Sequence, residues 1–188
     1  MNPSFYDRPV LEVAPDLLGC VVEHAGASGI IVETEAYHDS EPASHAFVGL
    51  TPRTATLFGP PGRAYVYRSY GVHAMLNAVS EPEGVGAGVL IRALEPLDGV
   101  ELMAARRGGL PLRSLCSGPG KLTQALGITL ADNGCDLQHG PVVIRSRPAG
   151  WKRPPVSVGR RIGITKAAEL PWRFCVTGSR FLSAPVRL

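Results

Sequence analysis

Two carboxylates and a phenol, Glu33, Glu35 and Tyr37, occupy every second position at the end of residues 28–37, SGIIVETEAY. In an extended chain the side chains alternate, so Ile31, Glu33, Glu35 and Tyr37 share one face and Ile30, Val32, Thr34 and Ala36 the other. The second set can be buried. The first ends in groups that do not belong in an unbroken core. A carboxylate beside an aromatic ring on a rigid strand suits general-base chemistry on a flat substrate. A half-exposed strand whose acids merely face water has the same pattern, and these residues alone leave both readings open.

Other residues with chemical potential lie downstream. Residues 87–93, AGVLIRA, read as an apolar strand with one charge, Arg92, which needs an acceptor that Glu33 or Glu35 can supply. In residues 63–79, RAYVYRSYGVHAMLNAV, Tyr65, Tyr67 and Ser69 share a face, and Tyr70-Gly71 offers a turn. A tyrosine at a hairpin tip is either a wedge for insertion between stacked bases or a ring folded back over the sheet. His45 lies in residues 38–62, a polar stretch broken by four prolines and too long for an ordinary connector, hence a candidate functional loop. A lone loop histidine needs company before it signifies anything. Residues 117–122, SGPGKL, lack the spacing of a phosphate-binding loop, yet their amides and Lys121 can face an anion.

The elements that must position these groups follow from the rest of the chain. With 188 residues, 45% of them apolar, the protein forms one domain or at most two small ones around a sizeable core. Its 22 glycines and 17 prolines favour short strands and many turns over a helical bundle. Pro15 is expected to begin a short helix that Gly19 stops; residues 21–23 and 28–37 pair as a hairpin; residues 98–107 form an amphipathic helix with Asp98 as N-cap. Residues 122–126 start another short helix, and residues 142–145, 161–164 and 172–176 read as strands.

Charge is divided unevenly. Residues 1–101 hold five arginines and no lysine against thirteen acids, whereas residues 102–188 hold fourteen basic residues against three acids. Such a basic half suggests a polyanion partner, namely nucleic acid. Residues 145–161 carry six basic residues and no acid, so Arg145, Arg147, Lys152, Arg153, Arg160 and Arg161 join Lys121 as candidate contacts to a phosphate backbone. The four cysteines form no CxxC pair and no zinc-ligand spacing exists, which points to free thiols in a reducing compartment and to no metal. With no apolar signal core and no membrane-length apolar run, a cytoplasmic protein without membrane contact is expected.

Taken in order, VETEAY (32–37), SHAF (44–47), TPR (51–53), AYVYRSYG (64–71), LNAV (76–79), VLIRALEPLDG (89–99), SGPGKL, GRRIGI (159–164) and the closing PWRF resemble the alkyladenine, or methylpurine, DNA glycosylase family. Each motif is weak alone; the ordered set is specific and covers nearly the whole chain. The resemblance implies a single α+β domain over residues 1–188. Its sheet would be curved, mostly antiparallel and open-barrel-like, with peripheral helices and a protruding hairpin that inserts into DNA. It also implies a monofunctional base-excision enzyme, acting as a monomer without cofactor on double-stranded DNA that contains damaged purines, nucleoid-associated in a bacterium. In that family's terms Glu35 activates water, Arg92 helps to hold the water, and a main-chain carbonyl at Ile162 does the same. Tyr37 matches the ring on one side of the extruded base, His45 and Tyr67 the groups on the other, Asn77 the asparagine that crowds the amine of normal guanine, and Tyr70 the intercalating residue.

Three other readings are weighed. A glycosylase-lyase needs an amine nucleophile, but none of Lys121, Lys152 and Lys166 sits in a catalytic-looking strand. A non-catalytic damaged-DNA or RNA-binding module would use the basic half and the tyrosine hairpin alone; the Glu35 and Arg92 pair argues against it. Metal or nucleotide enzymes are disfavoured by the missing ligand clusters and phosphate loops.

Overall fold

A computed structural model of the chain describes residues 1–69, 71–152 and 155–186. Eight strands form one antiparallel sheet that curls into a half-barrel: β1 (Val21–His24), β2 (Ala27–His38), β3 (Ala64–Ser69), β4 (His73–Val79), β5 (Ala87–Asp98), β6 (Val143–Arg145), β7 (Val156–Gly159) and β8 (Arg173–Val176). Their order is β3-β4-β5-β2-β1-β6, with β8 paired to β2 and β7 to β8. Among the described residues four α-helices accompany them: α1 (Val10–Asp16), α2 (Val100–Arg106), α3 (Leu112–Leu115) and α4 (Pro119–Leu126).

The sheet has two different faces, and the strand period of two sorts residues between them. Val66, Leu76, Ala78, Val89, Ile91 and Ala36 join the main core with Val13 of α1, Met103 of α2 and Leu122 of α4. The alternate positions, Tyr65, Asn77, Leu90, Glu35 and Tyr37, look the other way. Over that second face folds the segment between β2 and β3, which carries two 3-10 turns, His45–Val48 and Ala55–Phe58. Ala46 and Leu57 of these turns pack on Tyr65 and Val79. Gly86 and Gly88 permit the close approach: a Cβ on Gly86 would stand 2.5 Å from that of Ala46, and one on Gly88 3.0 Å from Leu57.

The alternation expected for residues 28–37 holds in the second half of β2 and fails in the first. Ile31 belongs to the main core, while Val32 sits on the opposite side with Ala93 and Phe181. Two offset bulges are the cause. Ile31 opposes Leu94 and Glu33 opposes Ala93, which leaves Val32 unpaired; Thr34 then opposes Ile91, which leaves Arg92 unpaired. Each bulge inserts one residue and re-aims its side chain. Nor is either acid solvated: Glu33 and Glu35 are both 0% exposed.

Other boundaries shift for local reasons. Helix α1 starts after Pro9 and contains Pro15 near its end, and its first amide, Val10 N, donates to Glu81 at 2.8 Å. Asp98 does not cap α2. It closes β5 by accepting from Ser28 Oγ, and Gly99 stands at the N-cap with a φ of 68°, where a Cβ would meet the Gly26 carbonyl at 2.3 Å. Residues 161–164 form a bend and no strand, with Gly163 at φ 77°. The hairpin of β3 and β4 is present, but its tip residue, Tyr70, lies outside the described residues, as does Arg153. All four cysteines are free thiols. Among the described residues no helix is long and apolar enough to cross a membrane.

Candidate active site

Register alone assembles the centre of the site. Tyr65 opposes Asn77, Asn77 opposes Leu90, Leu90 opposes Glu35, and Glu35 opposes Arg173, so one transverse row runs across β3, β4, β5, β2 and β8 on the second face of the sheet. Two positions along each flank, Tyr67 on β3 and Tyr37 on β2 project from the same face.

Glu35 is held by three donors from three segments. Ile162 N donates to Oε1 at 2.8 Å; Tyr37 Oη and Arg92 Nη1 donate to Oε2 at 2.8 and 3.2 Å. A carboxylate offers about four acceptor directions, so among the described residues Oε1 keeps one for a further donor. Burial pushes the Glu35 carboxyl above its ordinary range; Arg92, the Ile162 amide and Tyr37 pull it back in that order, and Glu33 adds to the rise. Burial likewise raises Tyr37 well above the usual phenol range, so its hydroxyl stays a donor. Arg92 favours the ionised form, yet burial outweighs it. At Ile162 it is the amide that meets Glu35.

Glu33 stands two residues earlier and is enclosed. Its Oε1 accepts from Arg92 Nε at 3.1 Å, Arg173 Nε at 2.7 Å and Ser183 Oγ at 2.7 Å, and its Oε2 accepts from Ser183 N at 2.6 Å. Arg92 therefore spans both acids, one through Nε and one through Nη1. Its bulged position in β5 makes that reach possible.

Beside this network lies a cavity of about 400 Å³, within the range of small-molecule sites. Tyr37, His45, Tyr67, Asn77, Arg92 and Ile162 all line it, whereas Glu35 sits directly behind its own three donors. The His45 and Tyr67 ring centroids are 4.5 Å apart, and Tyr65 stacks on Tyr67 at 5.3 Å. His45 Nδ1 lies 3.2 Å from Tyr65 Oη, and Arg53 Nη2 approaches His45 Nε2 at 3.5 Å. Burial, then the Arg53 charge, lowers the His45 pKa, so the imidazole is neutral at neutral pH. Burial, with the Tyr65 and Glu35 charges behind it, pushes Tyr67 up to about 12. Asn77 Nδ2 donates to the Tyr65 carbonyl at 3.2 Å, which fixes the amide at the cavity edge.

The basic candidates separate into exposed and engaged groups. Lys121, Lys152 and Arg160 are exposed. Arg145 pairs with Glu23 at 3.1 Å on β6, the opposite end of the strand order from β3. Arg147 donates to the Leu18 and Asp16 carbonyls and lies over the Trp151 ring. Arg161 is only 5% exposed and its guanidinium is bound to Glu41, so the expectation of a solvent-facing phosphate contact does not fit its placement.

Sequence reasoning missed Glu41, Arg53, Arg173 and Ser183. Arg173 had the same signature as Arg92, a charge inside an otherwise apolar strand, WRFCV, and the same demand for a buried acid would have found it. Ser183 and Glu41 act through long-range contacts that carry no local signal.

Residues 4–180 match the family model described as methylpurine-DNA glycosylase. A relative from Rhodopseudomonas palustris (strain ATCC BAA-98 / CGA009) is 58% identical over 181 residues, covering 96% of this chain and 86% of its own length. One from Bradyrhizobium diazoefficiens is 54% identical over 98% of this chain and 91% of its own, and one from Methanoculleus marisnigri is 50% identical over 96% of each. All three carry the name "Putative 3-methyladenine DNA glycosylase".

Proposed function

The chain belongs to the methylpurine-DNA glycosylase family, and on that premise we propose that it everts a damaged purine nucleotide from duplex DNA and hydrolyses the N-glycosidic bond with a water activated by Glu35. The observation that carries this reading is the placement of Glu35: a buried carboxylate whose three donors all form the wall of a cavity.

A stacked base exposes no path to its sugar carbon, so the nucleotide must rotate out at a cost of a few kcal/mol. Lesions pair poorly and lower that cost. Tyr70, which follows β3 in the sequence, fills the gap left behind. The base enters between Tyr37 on one flank and His45 with Tyr67 on the other. Aromatic faces attract a cationic alkylated purine by about 1–2 kcal/mol, and a neutral His45 adds no opposing charge. Asn77, fixed by its bond to Tyr65, crowds the exocyclic amine of an undamaged guanine. The substrate class is 3-methyladenine, 7-methylguanine, hypoxanthine and ethenoadenine.

Cleavage transfers the bond electrons to the leaving base and builds positive charge at the sugar; a cationic alkylated purine departs neutral, whereas a neutral base such as hypoxanthine departs as its anion and takes a proton from solvent. Ionised Glu35 takes a proton from water as its oxygen bonds to the sugar carbon, and the negative carboxylate stabilises the developing cation. Arg92 favours the ionised form of Glu35 and orients it through Oε2. The enzyme is monofunctional: no lysine is among the cavity-lining residues described, so no amine is placed for a Schiff base. Arg53 and Arg68 at the cavity, with exposed Lys121, Lys152 and Arg160, supply charge toward the DNA backbone.

Base release from duplex oligonucleotides, each carrying one of the four lesions, tests the proposal. Glu35→Gln should bind a lesion duplex as the wild type does and release base about 10³-fold more slowly. Full activity in that variant removes the assignment, and a borohydride-trapped adduct of the wild type removes the monofunctional reading.

A further inference from the structure

Arg161, which the basic character of its segment offers to a phosphate backbone, is turned inward. Its Nη1 donates to Glu41 Oε1 at 2.7 Å and to the Ala36 carbonyl at 2.9 Å; its Nη2 donates to Glu41 Oε2 at 2.9 Å and to the Ala167 carbonyl at 3.4 Å. The guanidinium carbon lies 4.6 Å from the Tyr37 ring centroid and 5.3 Å from that of Trp172. One side chain thus ties together the end of β2, the loop that carries Glu41 and the segment after β7. The bidentate, planar geometry is one that lysine cannot reproduce.

What Arg161 ties together is the setting of Glu35. The next residue, Ile162, gives its amide to Glu35 Oε1, and Tyr37, under the Arg161 guanidinium, gives its hydroxyl to Oε2. Ile162, Gly163 and Ile164 also form part of the cavity wall. The segment they occupy is an irregular bend with no sheet ladder of its own to fix it.

We infer that Arg161, gripped by Glu41, is a positioning residue for the glycosylase reaction: it holds two of the three donors on Glu35 and is not a ligand of DNA phosphate. The inference rests on the reading of Glu35 as the general base. Its consequence is a specific pH dependence. Around Glu35 stand Arg92 from β5, Tyr67 from β3, Glu33 and Tyr37 from β2 and Arg173 with Cys175 from β8, and of these Tyr37 is the one that lies against Arg161. Loosening of the Ile162 amide and the Tyr37 hydroxyl then makes the charged carboxylate less favourable. Glu35 protonates at higher pH, and the acidic limb of the rate profile moves up.

The test compares Arg161→Lys and the double variant Arg161→Met/Glu41→Gln, which leaves no buried charge unpaired, with wild type and Glu35→Gln. Single-turnover base release from a hypoxanthine duplex is measured across pH, and affinity for a lesion-free duplex across salt. Both anchor variants should release base about tenfold or more slowly at neutral pH, with the acidic limb displaced upward and the salt slope unchanged. Wild-type rate and limb, or weaker binding with a salt slope shallower by about one contact, overturns the inference. If either variant is unfolded at the assay temperature, Ile162→Pro deletes the amide directly, and an unmoved limb in that protein overturns the inference equally. An active Glu35→Gln would instead strike the general-base reading, so the two failures are distinguishable.

Discussion

Glu33 and Glu35 are two residues apart on one strand, equally buried and bridged by one arginine, yet they occupy opposite kinds of surroundings. The Glu33 end is closed. Two guanidinium groups, a hydroxyl and an amide surround the carboxylate, and Arg173 binds on to the Ala184 and Pro185 carbonyls, which seals that side with the C-terminal segment. The Glu35 end is open. It has one guanidinium, and its donors are themselves the wall of a cavity. A saturated carboxylate orients its neighbours, whereas one with an acceptor direction to spare beside a cavity can take a proton from water. Chemistry is proposed where the donor set is left incomplete.

The largest expected effect is the loss of base release in Glu35→Gln with folding intact. Glu33→Gln should invert that pattern. It strands Arg92 and Arg173 beside one carboxylate fewer, so stability should fall by about 3 kcal/mol, read as a lower denaturant midpoint, while the folded fraction keeps more base release than Glu35→Gln. Equal loss of activity at unchanged stability would mean that the two acids do not divide the work. Next in size, Arg92→Met removes the strongest influence holding the Glu35 pKa down. The acidic limb of single-turnover release should move to higher pH, and an unmoved limb would separate Arg92 from the titration. The smallest effect belongs to Arg145→Ala. Its exposed pair with Glu23 is worth at most about 0.5 kcal/mol, and its position at the far edge of the sheet predicts unchanged lesion binding. Weakened binding would extend the DNA-facing surface to β6.

Much of the site was legible because sheet register converts sequence spacing into geometry. Tyr65 and Tyr67, and Glu35 and Tyr37, are spaced by two and share a face in the sequence and in the fold. An arginine in an apolar strand demands an acid, and Arg92 found two. Both bulges were illegible, since Val32 and Arg92 look like ordinary strand residues and only the pairing of β2 with β5 shows that each is extra. The same limit hid the turn of Arg161: a count of basic residues cannot tell a guanidinium in water from one gripped by Glu41 across a sequence separation of 120 residues. Helix ends were misplaced where a distant residue did the capping, as Glu81 does for α1.

The general-base claim is tested most directly by the pH dependence of single-turnover base release from a duplex with one hypoxanthine, measured for the wild type and for Glu35→Gln. A base must be ionised to act, and burial raises the Glu35 pKa. The wild-type rate should therefore fall as pH drops through a value above the ordinary glutamate range, and Glu35→Gln should be slow with no such limb. A Glu35→Gln profile that keeps the wild-type limb and rate would contradict the claim.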